Sequence, residues 1–89
     1  MNTKLLIVDD SAFMRKVISD SVKEMQGIEV AGIARDGLDA LEIIPKLKPD
    51  IITLDVEMPK LNGLETLKII KEKYNIPVIM ISSHTGADI

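Results

Sequence analysis

The chain has no cysteine and no tryptophan, and its only aromatic residues are Phe13 and Tyr74. Without cysteine there is no disulfide, no thiolate-held zinc and no thiol nucleophile, a composition that suits a reducing compartment. Long apolar runs are missing as well. None approaches the ~18 residues of a membrane-spanning helix, and Met1 to Lys4 lead directly into a short apolar strand. The expectation is a soluble, cytoplasmic protein. Positive charge is scarce: 11 Lys and Arg stand against 14 Asp and Glu, a net charge of −3. Binding nucleic acid through its phosphates requires a concentrated basic face, so that function is not expected. Lys46, Lys48, Lys60, Lys68, Lys71 and Lys73 are read instead as solvated helix and loop positions, and His84, the single histidine, as solvated too.

What is present is aliphatic. Apolar residues make up 46% of the 89 positions, mostly Ile, Leu, Val, Met and Ala. A chain of this length suits one domain, burying roughly 60 to 65% of its unfolded surface. Lys4 to Val8 is apolar without alternation, the pattern of a strand covered on both faces. Ser11 is placed to cap a helix whose face recurs at Met14, Val17, Ile18, Ser21 or Val22, and Met25, with Gly27 as its left-handed stop. Ile28 to Ile33 alternates in part and reads as a strand near a sheet edge. Asp36 caps a second helix burying Leu38, Leu41, Ile44 and Leu47, which should bend or finish near Pro45. Ile51 to Leu54 forms a third strand ending in Asp55. Asn62-Gly63 has the composition of a hairpin turn, but apolar residues at Leu64, Leu67, Ile70 and Tyr74 favour a loop opening into a third helix. Val78 to Ile81 is the fourth strand, followed by Ser82.

The strands begin about 25 residues apart with a helical pattern in each gap and no repeat at residue level, so the period reflects βα units. Such units build an open, doubly wound parallel sheet with right-handed crossovers. Ligands of these sheets sit beyond the carboxyl ends of the strands, where Asp9, Asp10, Asp55 and Ser82 all fall. Three converging carboxylates repel one another by roughly 4 kcal/mol per pair at about 4 Å and an effective dielectric near 20. A divalent cation relieves this, and an all-oxygen donor set with few protein ligands suits Mg²⁺. Asp55, alone at its strand end, is then the candidate to accept a phosphoryl group as an acyl phosphate.

Leu-Ile-Val-Asp-Asp-Ser-Ala-Phe-Met-Arg, Asp-Gly-Leu-Asp-Ala-Leu, Lys-Pro-Asp-Ile-Ile-Thr-Leu-Asp-Val-Glu-Met-Pro and Pro-Val-Ile-Met-Ile-Ser-Ser together resemble a response-regulator receiver domain, of the kind found at the N-terminus of chemotaxis protein-glutamate methylesterases. The likeness covers residues 4 to about 83. It implies a flavodoxin-like α/β sheet of order 2-1-3-4 and assigns roles by position. Asp55 matches the phospho-acceptor, and Asp9 and Asp10 match the acidic metal-binding pair. The main-chain carbonyl of Glu57 matches a further Mg²⁺ ligand, and Ser82 matches the switch hydroxyl. The phosphoryl donor it implies is a histidine kinase of the chemotaxis type, docking beside the first helix around Phe13, Met14 and Val17.

The sequence departs from that pattern after residue 83. A complete receiver adds a fourth helix, a fifth strand bearing a lysine and a switch aromatic, and a fifth helix. Residues 1–89 are therefore expected to form a single, partial receiver domain, with any downstream effector, including a methylesterase domain, absent. Strand four is expected to be an uncovered edge, open to homo-oligomeric pairing. A second reading is thus a truncated or engineered fragment with a structural, oligomerising role and impaired switching. A third, a dedicated Mg²⁺-dependent phosphohydrolase, ranks last, because the residues after Asp55 are Val-Glu-Met-Pro, with no second aspartate two positions on. Enzymatic activity is expected to be limited to self-phosphorylation and self-dephosphorylation.

Overall fold

A computed structural model describes residues 2–82. The elements are β1 (Thr3–Val8), α1 (Ala12–Lys23), β2 (Ile28–Ala34), α2 (Gly37–Leu47), β3 (Ile51–Asp55), α3 (Gly63–Lys73) and β4 (Val78–Ile81). All strand pairs are parallel, in the order β2-β1-β3-β4. This is the order the family resemblance implies. Among the described residues β2 and β4 are the sheet edges, and β2 carries a bulge where its pairing with β1 shifts between Leu5 and Leu6.

Strand periodicity divides the core between the two sheet faces. Leu6 and Val8 of β1 and Ile52 and Leu54 of β3 point to the side covered by α2 and α3, packing with Ala40, Ile44, Met58 and Ile70. Leu5 and Ile7 point the other way, to Val22 of α1, with Ile18, Ile28, Val30 and Ile51 partly buried around them.

Each helix starts where a side-chain cap allows it. Ser11 accepts from the Met14 amide, Asp36 from Asp39, and Asn62 forms a reciprocal capping box with Glu65. The capping box commits Asn62-Gly63 to a helix start rather than a hairpin. α2 continues two residues past Pro45 and ends at Lys48 in the left-handed conformation.

Three expectations about helix faces are corrected. Leu38 and Leu64 lie exposed, and the buried faces are Gly37, Ala40 and Ile44 in α2 and Gly63, Thr66 and Ile70 in α3. Both helices use the same i, i+3, i+7 face of two small residues and an isoleucine. The reason is close approach: a Cβ on Gly37 would collide with Thr66 Oγ1 and lie 2.7 Å from the Leu61 carbonyl oxygen. Small residues meet where the helices touch, so the larger leucines beside them turn outward. Val17 on α1 is exposed rather than buried, as is Met25, which lies beyond the end of α1. That helix ends at Lys23 with Glu24 as its cap, and Gly27 (φ 85°) serves the turn into β2 instead of stopping the helix.

Candidate metal and phosphoryl site

The carboxyl ends of β1 and β3 lie side by side, since Val8 pairs with Leu54. The residues that follow therefore meet. One carboxylate oxygen from each of Asp9, Asp10 and Asp55 lies within 4.8 Å of the others. Asp9 and Asp55 continue the inward rows Leu5-Ile7-Asp9 and Ile51-Thr53-Asp55, and both are 2% exposed, whereas Asp10 is exposed.

Short bonds hold each buried acid. The Asp9 amide donates to the Ala34 carbonyl at 3.0 Å, extending the β1–β2 ladder by one residue. Asp9 Oδ1 accepts from the Ser11 amide at 2.9 Å, and Arg15 Nη1 donates to the Asp9 carbonyl oxygen at 2.7 Å. Asp55 Oδ1 accepts from the Glu57 amide at 3.2 Å, while Asp55 Oδ2 is buried without a hydrogen-bond partner. Burial pushes the Asp55 carboxyl up to about 6, and the charges of Asp9 and Asp10 push the same way against the Glu57 amide.

The loop after Asp55 is anchored on the strand it leaves. Gly63 donates to the Val56 carbonyl at 2.9 Å. A Cβ at Gly63 would collide with the Asp55 carbonyl oxygen and sit 2.7 Å from Val56 Cα, so only glycine lets α3 start this close. Met58 is buried, and Lys60 adopts a left-handed backbone (φ 68°). Its ammonium lies 3.6 Å from Asp36 Oδ2, tying this loop to the one before α2. The Asp39 amide first, then Lys60, holds the Asp36 carboxyl below its ordinary range. An open cleft of about 620 Å³ runs from Asp10 past Leu38 to Pro59 and Lys60.

Of the other positions read from the sequence, Ser82 follows β4 by one residue and is exposed at the same sheet edge, where Ile81 pairs with Asp55. Phe13 is 73% exposed and Val17 41%, with Met14 half-buried. His84 and the rest of 83–89 lie outside the described residues. The pattern assigns no role to Arg15 or to the buried Thr53, whose hydroxyl is unpartnered, and only that of a turn to Gly63, because each acts through a main-chain contact or a packing position.

A family model for the response regulator receiver domain matches residues 5–89. The chain belongs to that family. Among curated proteins the receiver is 62% identical over 82 residues to a protein-glutamate methylesterase/protein-glutamine glutaminase of Bacillus subtilis, covering 92% of this chain and 23% of that protein. It is 55% identical over 87 residues to the protein of the same description from Pyrococcus horikoshii, covering 96% and 24%. The chain thus spans about a quarter of the length of the curated relatives it matches. The response regulator domain of Thermotoga maritima CheB superposes with a TM-score of 0.89 at 49% identity, covering 98% of this chain and 65% of that one. A receiver of Salmonella RcsB has the same fold at 22% identity and a TM-score of 0.89. The receiver is therefore of the CheB type.

A divalent cation fits the residues present. Three carboxylates supply hard oxygen donors, two of them buried, and the orphaned Asp55 Oδ2 needs a positive partner that no described side chain provides. No described helix is long and apolar enough to cross a membrane.

Proposed function

We propose that residues 1–89 act as the phospho-acceptor receiver of a chemotaxis-type two-component system in the cytoplasm, with Asp55 taking the phosphoryl group. The observation that carries this reading is the buried Asp55 carboxylate, one oxygen held by the Glu57 amide and the other unpartnered beside Asp9 and Asp10. Asp9, Asp10, Asp55 and the Glu57 carbonyl would hold Mg²⁺, which when bound supplies charge neutralisation for the incoming phosphoryl oxygens.

The chain's own residues do the rest. An Asp55 oxygen attacks the phosphorus of a phosphohistidine on the kinase, the P–N bond breaks, and the imidazole leaves to take up a proton. Because the Glu57 amide fixes Oδ1, the carboxylate is oriented before the donor arrives. The exposed Ser82 hydroxyl, at the same edge, is the donor proposed to follow the acquired phosphoryl group. The exposed Phe13 and Val17 on α1 offer the kinase an apolar contact close to the β1–α1 corner. Coupling to an output domain, of the methylesterase type in the relatives, and pairing of copies through β4 belong to the same proposal.

The test is an NMR titration with beryllofluoride and Mg²⁺, a phosphoryl mimic that needs both metal and acceptor. Amide shifts at Asp55, Glu57 and Ser82 are expected, and Asp55→Asn should lose them. Unshifted amides in the native sequence would overturn the assignment.

A further inference from the structure

The corner between β1 and α1 holds a cation that the phosphoryl chemistry leaves without a role. Arg15, in the first turn of α1, folds back so that Nη1 donates to the main-chain carbonyl oxygen of Asp9 at 2.7 Å. The side chain is half-buried, and this bond goes to a main-chain carbonyl rather than to a carboxylate. That carbonyl belongs to the peptide joining Asp9 to Asp10, so fixing it fixes the direction in which Asp10 leaves the strand. The two acids differ in what else restrains them. Asp9 is buried and its carboxylate accepts from the Ser11 amide. Asp10 is exposed, so burial does not hold its carboxylate over the cluster.

We propose that Arg15 is a positioning residue: by clamping the Asp9–Asp10 peptide it keeps the Asp10 carboxylate within reach of Asp9 and Asp55 and so raises the affinity of the site for a divalent cation. The inference rests on the reading of the three carboxylates as a Mg²⁺ site. Two effects of Arg15 on that site have opposite signs. Its charge repels a cation, so by field alone its removal strengthens Mg²⁺ binding. Its clamp holds a ligand in place, so removal as a positioner weakens binding. Loss of outer contacts that orient a metal ligand commonly costs roughly 10- to 100-fold in affinity. The geometric effect therefore dominates the screened field of one half-buried guanidinium.

The experiment is a Mg²⁺ titration of the 89-residue chain, followed through the Asp10, Ser11 and Asp55 amides by NMR, with urea midpoints checking the fold. Arg15→Met, which keeps the stem but not the donors, should bind Mg²⁺ roughly tenfold more weakly. Arg15→Lys, which keeps the charge but not the planar fork, should fall between Arg15→Met and the native chain. Tighter or unchanged binding in Arg15→Met overturns the proposal, as does Arg15→Lys binding equal to native should Arg15→Met not fold. A metal-free arm separates this from the site reading. Without Mg²⁺, the Asp10 amide should exchange several-fold faster in Arg15→Met than in the native chain. Equal exchange removes the clamp whatever the native chain does with Mg²⁺. Failure of the native chain to bind Mg²⁺ removes the site reading, and with it the role of the clamp in metal affinity.

Discussion

The two faces of the sheet are built to different standards. On the α2–α3 side, Leu6, Val8, Ala34, Ala40, Ile44, Ile52, Leu54 and Ile70 are at most 1% exposed, and the helices touch through Gly37 and Thr66. On the α1 side, one helix covers Leu5 and Ile7, while Val17, Met25 and Ile79 stay exposed along a groove of about 270 Å³. The buried acids Asp9 and Asp55 terminate rows on this lighter face. Rigid packing on one side holds the strand ends in register, and the chemistry is mounted at the ends of the rows on the other. The fold's stability and its site thus draw on different side chains, which makes them separable by substitution.

The largest expected effect tests the packed face. Leu54→Ala removes a side chain with no exposed surface and should cost about 3 to 4 kcal/mol, measured from urea midpoints. Ile79→Ala, on the same sheet but half-exposed in the groove, should cost less than about 1 kcal/mol. Equal losses would remove the contrast, because they would mean that the groove is filled in solution.

A smaller effect tests the acid end of the lighter face. The Asp55 carboxyl is raised to about 6, chiefly by burial. Below about pH 4 it is protonated in both the folded and the unfolded chain and contributes no difference. As pH rises from about 4 through about 6, the unfolded chain releases its proton first, so the metal-free folded state loses stability, by about 2 to 3 kcal/mol in total. Asp36, whose carboxyl is lowered, has the opposite sign, its contribution disappearing as pH falls. Asp55→Asn should therefore be more stable than the native chain at neutral pH without metal, and the difference between the two should vanish near pH 4. Saturating Mg²⁺ should shrink it at neutral pH.

Most of the sheet was legible because β1, β3 and β4 carry unbroken apolar runs, and because Ser11 and Asp36 are caps with a local mechanism. The acid cluster was legible for the same reason: residues just past parallel strands share an edge whatever the side-chain detail. The helix faces were not. Counting large apolar residues favoured Leu38, Leu64 and Val17, whereas burial in α2 and α3 is decided by where small residues permit contact, a property of two helices at once. Arg15 and Gly63 were illegible because each acts on a main-chain atom, Asp9 and Asp55 respectively, and sequence pattern records side chains.

The smallest effect gives the comparison its sharpest form, since one substitution should change sign between the faces. Thr53 and Thr66 are both buried, at 8% and 0% exposure. Thr66, on the packed side, donates to the Asn62 carbonyl at 2.8 Å and touches Gly37. Thr53, lining the groove on the lighter side, has a buried hydroxyl with no partner. Replacing threonine by valine keeps the shape and removes the hydroxyl. At position 66 this forfeits the hydroxyl's hydrogen bond to the Asn62 carbonyl, which keeps the Thr66 amide as a donor, and presses a methyl group on Gly37, a loss of about 1 to 2 kcal/mol. At position 53 it removes a desolvated group that has no compensating bond, a gain of about 1 kcal/mol. Urea midpoints of Thr53→Val and Thr66→Val should move in opposite directions from the native value. Movement of both downward would mean that the Thr53 hydroxyl has a partner in solution, and hence that the lighter face is covered there.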